Sequence, residues 1–281
     1  MSRNITRRTF LAGGAAAALT ALTGCSATTP FVGKREESTR TVDAAGLDSL
    51  AVDTQIGDIR VVGTDRDDVR IRAVKQASSV RADISKLSLD VQRSDGTLRL
   101  QSDWTGSTGL FAGRPSLDLD VELPRSLAVD GVRTRVGDAD VTDVAGDLEV
   151  RSDTGDVSAS GVAGAVTAIS QTGDVTVRSP EVLAEATAQT GDVDVEIPAI
   201  DGETTVETQT GDVTARVAAD LDAALVAQTQ TGDVRVDGLT LRESESDDGF
   251  SGDSIRGTLG DGGPRLTLEA QTGDVTVRPI E

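Results

Sequence analysis

The chain has 281 residues, with 27 Lys+Arg against 47 Asp+Glu for a net charge of −20, one cysteine, and neither histidine nor tyrosine. Without histidine and with a single thiol, a Ser-His-Asp triad, a histidine-ligated zinc and an internal disulfide are all excluded. The negative charge argues against nucleic acid or anionic lipid headgroups as partners held by surface electrostatics.

Residues 1–24 read as a leader. Thr6-Arg7-Arg8-Thr9-Phe10-Leu11 resembles a twin-arginine export motif, with Ala12 where such motifs usually carry lysine. The apolar run from Phe10 to Leu22 is too short to span a bilayer and suits a signal peptide. Leu22-Thr23-Gly24-Cys25 resembles a lipobox. That resemblance implies that Cys25 becomes a lipid-bearing N-terminus, anchoring the protein on the outer face of the cell membrane and leaving no thiol nucleophile. Residues 25–40 are polar and lack alternation, which suits a tether.

From 41 to 126 the apolar residues alternate. Leu50 and Val52, then Ile59 and Val61, flank Gly57-Asp58, and Val69, Ile71 and Ala73 come after them. Leu87, Leu89 and Val91 face Leu98 and Leu100 across Asp95-Gly96, a hairpin pattern, and Leu117 to Leu123 is a strand stopped by Pro124. This region reads as the irregular first coils of a β-repeat stack, or as a β cap on its open end. The stretch Gln101 to Arg114 reads as a Gly/Ser-rich loop carrying Trp104 and Phe111, aromatics that could bind a partner but more often cover an open core end.

From 127 to 281 one phrase governs the chain. Gln-Thr-Gly-Asp-Val occurs at 171–175, 189–193, 209–213, 230–234 and 271–275, with a near copy at 153–157. The glycines fall at 137, 155, 173, 191, 211, 232 and 273, a period near 20 with one double step. Alternating residues on either side, such as Leu225, Ala227 and Thr229 before Gly232 and Val234 and Val236 after it, make each repeat strand, turn, strand. A second turn, as at Ser160 to Gly164, closes the repeat. The acidic and Gly-rich stretch 238–265 is a loop excursion, and Leu266 to Val277 the final coil.

One such strand pair cannot bury its apolar side, but a stack can. Between a meander of hairpins and a parallel β-solenoid, near-identical repeats favour the solenoid, because identical Gln and Thr side chains then ladder at about 4.8 Å. Small inward residues and 2% aromatics suit a thin coil. The expected fold is therefore all-β: a parallel β-solenoid, right-handed by the usual sense of parallel crossovers.

The only chemistry-bearing groups left in number are carboxylates. Asp138, Asp156, Asp174, Asp192, Asp212, Asp233 and Asp274 recur once per turn, as repeats do, with no singular cluster. A calcium site needs roughly six to eight oxygens. One carboxylate per turn, with Thr and carbonyl oxygens nearby, supplies a weak Ca2+ site at most. Aspartate as a turn-former, bonding its own neighbouring amides, is the preferred reading, and no metal or other cofactor is expected.

The repeated Thr-Gly-Asp-Val strands, Gly57-Asp58-Ile59, Leu123-Pro124 and Gly260-Asp261-Gly262-Gly263-Pro264 together resemble the putative-adhesin β-strand-repeat domain over about residues 41–281. The resemblance implies a β-solenoid with an envelope address and offers no catalytic residues. The function expected is a non-catalytic surface protein that binds a surface glycan or an envelope protein. Two other readings are weighed: a polysaccharide-active enzyme using paired carboxylates, and a self-assembling envelope scaffold. The acidic, lysine-poor composition resembles proteins of salt-loving organisms.

Overall fold

A computed structural model describes residues 33–79, 82–106, 114–249 and 252–280, and the side chains of 247–249 are not among what it describes. Each coil is a longer strand, a Gly-Asp corner and a shorter strand. Leu148–Thr154 with Val157–Ser160 is one, and Ala165–Thr172 with Val175–Arg178 is the next. Longer strands pair in parallel with longer, as Val150 with Ala168, and shorter with shorter, as Val157 with Val175. Among the described residues, two sheets of eleven and twelve strands result.

The alternation in sequence becomes the two walls of one core. Val150, Ala168, Ala186, Val206, Leu268 and Ala227 line up inward from the longer strands, and all are fully buried or within 1% of it. Val157, Val175, Val193, Val213 and Val275 do the same from the shorter strands. Buried Val144 and Val162 fill the return side, where Ala145 and Ala163 bridge in parallel. Side chains this small let the two sheets approach closely enough to leave no wide interior.

Spatial order departs from chain order at both ends. The strands Thr97–Trp104 and Ser116–Pro124 stack outside Ser49–Ile56 and Ile59–Thr64, and Ala128–Val136 then stacks on the inner side of Ser49–Ile56. At the far end, Arg265–Thr272 and Val275–Pro279 are not the final coil. They lie between the coil Thr204–Thr210/Val213–Val217 and the coil Ala223–Thr231/Val234–Val236. Repeat spacing carries no information about this, because every rung offers the same edge to its neighbours. Burial shows what the insertion achieves: Leu266, Leu268, Val275 and Val277 are fully buried, whereas Val234 at the outer edge is 7% exposed.

Among the described residues, antiparallel strands close both sheets at one end and the longer-strand sheet at the other. Lys34–Asp43 pairs with Asp68–Ala77, which pairs with Ser116–Pro124, and Leu87–Ser94 pairs with Thr97–Trp104 across the positive-φ turn Asp95-Gly96. The tether expected over 25–40 is corrected accordingly, since from Lys34 onward the chain is in the sheet. Neither face of that strand is buried, so it shows no alternation to read. The 238–265 excursion is likewise a hairpin, Arg242–Gly249 with Gly252–Leu259, covering the edge of Ala223–Thr231. Such covers blunt the row of free amides and carbonyls that a sheet edge presents. Trp104 ends a strand rather than sitting in a loop and packs against the core with Arg114 5.4 Å from its ring centroid. Phe111 lies outside the described residues. No helix among the described residues is long and apolar enough to cross a membrane.

Candidate binding face and its Gly-Asp corner

The corner is built from backbone necessity. Gly57, Gly137, Gly155, Gly173, Gly191, Gly211, Gly273 and Gly232 stack in that order, with φ between +137° and +142°. A Cβ on Gly173 would lie 2.2 Å from the Gly155 carbonyl oxygen. Both the dihedral and the close approach therefore require glycine.

The aspartates do not bond their own amides, as the turn-former reading had it. Each Oδ1 accepts the amide of the aspartate one coil on: Asp156 N–H to Asp138 at 2.9 Å, then Asp174 to Asp156, Asp192 to Asp174, Asp212 to Asp192 and Asp274 to Asp212 at 2.8 Å each. Asp233 N–H comes next, on Asp274 at 3.0 Å. All seven predicted aspartates thus share one column. The column also takes in Asp58, which accepts from Asp138 N–H at 3.1 Å, and Asp118, which accepts from Asp58 N–H at 3.4 Å. Asp58 was legible from its glycine; Asp118 follows a leucine and had no signal.

Behind the corner runs a second, inward ladder that sequence reasoning missed. From Gly137 onward, the residue three before each glycine, when it is Ser or Thr, donates its hydroxyl to the glycine carbonyl of the preceding coil. Examples are Ser152 to Gly137 at 2.9 Å, Ser170 to Gly155 at 3.0 Å, Thr208 to Gly191 and Thr229 to Gly273 at 2.8 Å. Its signal was a Ser or Thr at a core position of an otherwise apolar row.

On the outside, Thr172, Thr190, Thr210, Thr272 and Thr231 stand in register and exposed, each preceded by an exposed glutamine. Gln171 Nε2 donates to Asp153 one coil back at 3.1 Å. The result is a straight file of hydroxyls and amides at the rung spacing of about 4.8 Å.

The short-strand sheet presents ion pairs instead. Asp194 is gripped by Arg178 at 2.6 Å and Arg216 at 2.5 Å, with its side chain 34% exposed. Burial raises its pKa, but the two guanidiniums outweigh that and hold it below the ordinary value. Burial pushes the Asp118 carboxyl up, more than the Asp58 amide lowers it, and the Asp58 charge adds to the rise. A hollow of ≈ 290 Å³ over this sheet is lined by Arg60, Arg70, Arg72, Asp120 and Glu122. Another, of ≈ 270 Å³, lies over Gly131 on the opposite sheet, beside Arg99, Arg133 and Glu149. Among the described residues no three Asp or Glu side chains gather as a metal site would need, and the carboxylates of the column from Asp118 to Asp274 each hold an amide already. Cys25, Arg7 and Arg8 lie outside the described residues.

Several solved structures are similar to this chain. A "putative adhesin" from Bacteroides fragilis is 16% identical over 87% of this chain and 97% of its own, with a TM-score of 0.47. A "putative cell adhesion protein" from Clostridium sporogenes is 11% identical over 88% of this chain and 100% of its own, with a TM-score of 0.35. A "putative adhesin" from Parabacteroides merdae is 12% identical over 88% and 97%, with a TM-score of 0.36. No curated protein matches the chain. The family described as Toastrack DUF4097 matches residues 83–278, the greater part of the sequence, and the chain belongs to that family.

Proposed function

We propose that this protein is a non-catalytic binding protein of the cell surface, a right-handed β-solenoid held to the outer face of the membrane by lipid on Cys25 after export through Arg7-Arg8. The observation that carries the binding role is the file of exposed threonines and glutamines in register from Thr172 to Thr231. Identical donors and acceptors at a fixed spacing suit a partner with its own repeat, and many weak contacts add up along it. A surface glycan is the partner this chemistry fits best, since hydroxyls and amides exchange hydrogen bonds with sugar hydroxyls without charge. The acidic, lysine-poor surface suits work in concentrated salt.

The test is binding of the purified protein, in high salt, to purified surface glycans and to envelope fractions, with and without divalent cations. Saturable glycan binding that falls when Thr190, Thr210 and Thr272 are changed together to valine supports the reading. Binding that is absent, or unmoved by those changes, overturns it. A requirement for divalent cations would move the site to the second carboxylate oxygens of the aspartate column.

A further inference from the structure

We infer that the slot holding residues 265–279 is a coil-exchange site, able to take the same segment from a second copy of this chain. The inference stands whether or not the threonine file binds a glycan.

The slot has two walls, the coil 204–217 and the coil 223–236. Both meet the inserted coil through contacts that any two neighbouring coils make. Gly211 N–H donates to the Thr272 carbonyl at 3.0 Å and Gly273 N–H to the Thr231 carbonyl at 2.9 Å. Val213 N–H donates to the Asp274 carbonyl and Val275 N–H to the Asp233 carbonyl, each at 2.9 Å. Gly173 and Val175 repeat this pattern with Thr190 and Asp192 in the middle of the stack. The seat is therefore specific for the repeat and indifferent to which chain supplies it.

The two walls also match each other. Coil 223–236 offers at Thr231 and Asp233 the same carbonyls that Gly211 and Val213 now receive from Thr272 and Asp274. A slot that lost its coil could close, with 223–236 moving one rung onto 204–217. Emptying the slot thus costs one interface rather than two, which lowers the barrier to exchange. The segment's connection to its own chain is short and glycine-rich: Gly260 and Gly262 have positive φ, and Gly263-Pro264 come next. Asp261 N–H on Asp222 Oδ1 at 2.6 Å and Ala224 N–H on the Pro264 carbonyl at 3.0 Å hold that connection. Exchange through such a hinge is how identical elements pass between protomers.

The chain has one cysteine, so in a Cys25→Ser background engineered thiols are the only ones present. Thr210 and Thr272 are exposed register partners. Their Cα atoms lie one rung apart, about 4.8 Å, within the span of a disulfide. Two chains of different length, one carrying Thr210→Cys and the other Thr272→Cys, are unfolded together, refolded at high protein concentration in high salt, and oxidised. A disulfide-linked heterodimer is expected, and its yield should rise with protein concentration. Replacing the Thr210→Cys chain by one carrying Thr172→Cys, several rungs from the slot, should abolish it. The double variant in one chain, cross-linking internally, shows that the thiols themselves are tolerated. Internal cross-linking of that variant with no heterodimer at any concentration, or equal yield from the Thr172→Cys control, overturns the inference.

Discussion

Thr54 and Thr134 are register partners in the same inward row, and both are fully buried. Thr134 donates to the Gly57 carbonyl at 3.1 Å. Thr54 precedes Gly57, the first glycine of the stack, which itself faces the Leu117 carbonyl and not a glycine, and the Thr54 hydroxyl finds no partner among the described residues. A buried hydroxyl left unpaired costs about 1–3 kcal/mol, while a paired one contributes roughly 1 kcal/mol. Valine has nearly the same shape. Thr54→Val should therefore stabilise the protein by about 1 kcal/mol and Thr134→Val destabilise it by a similar amount, read as opposite shifts in urea midpoint. Shifts of the same sign would mean that the hydroxyl ladder does not act as the geometry indicates. Asp194 supports a second prediction at this scale. Its pKa is depressed in the fold, so its contribution to stability is full above the unfolded carboxylate value, about 3.9. That contribution is lost as pH falls through the folded value. Asp194→Asn should cost stability at pH 7, and the gap to the parent protein should close in acid. A gap that holds constant with pH would assign the loss to packing around Arg178 and Arg216 instead of to charge.

Coils are assembled from such rungs, and the ladder of hydroxyls has gaps. Ala188 and Ala270 stand where neighbouring coils carry Ser170, Thr208 and Thr229, so this row offers no hydroxyl to Gly173 or Gly211. Ser170 shows that a serine fits this row. Ala188→Ser should add a bond to the Gly173 carbonyl and gain about 0.5–1 kcal/mol. A loss greater than about 1 kcal/mol would show that the row is too tightly packed to accept the oxygen. Gly173→Ala offers the opposite case, since the new Cβ meets a backbone oxygen at 2.2 Å. Its cost should be about 3 kcal/mol or more, exceeding that of Gly202→Ala, where φ is +92° but nothing lies within 4 Å. The corner was legible in the sequence because only glycine satisfies it and the phrase recurs. The coil walls were legible because burial on one side forces alternation. What could not be read was the order of the coils, since Gly211 accepts Gly273 as readily as it would Gly232. Nor could the strand Lys34–Asp43 be read, which pairs through backbone alone and buries nothing to mark it.

At the scale of the molecule, the aspartate column and the composition pull in the same direction. Carboxylates one rung apart repel by about 0.9 kcal/mol in unscreened water, and the chain as a whole carries −20 with only Lys34, Lys75 and Lys86 as lysines. The column persists because each Oδ1 serves as an amide acceptor, a role that needs an oxygen but not a charge. At 1 M salt the screening length is about 3 Å, shorter than the rung spacing, so the repulsion fades while the hydrogen bonds stay. Stability should therefore rise steeply as KCl is raised from low concentration toward the molar range, measured as the thermal midpoint. Asn keeps the acceptor and removes the charge. The double change Asp174→Asn/Asp192→Asn should raise the midpoint at low salt, leave it nearly unchanged at high salt, and so flatten the curve. If the double variant is weaker at every salt concentration, the column depends on charge as well as on its hydrogen bonds, and the salt response must arise from the rest of the acidic surface.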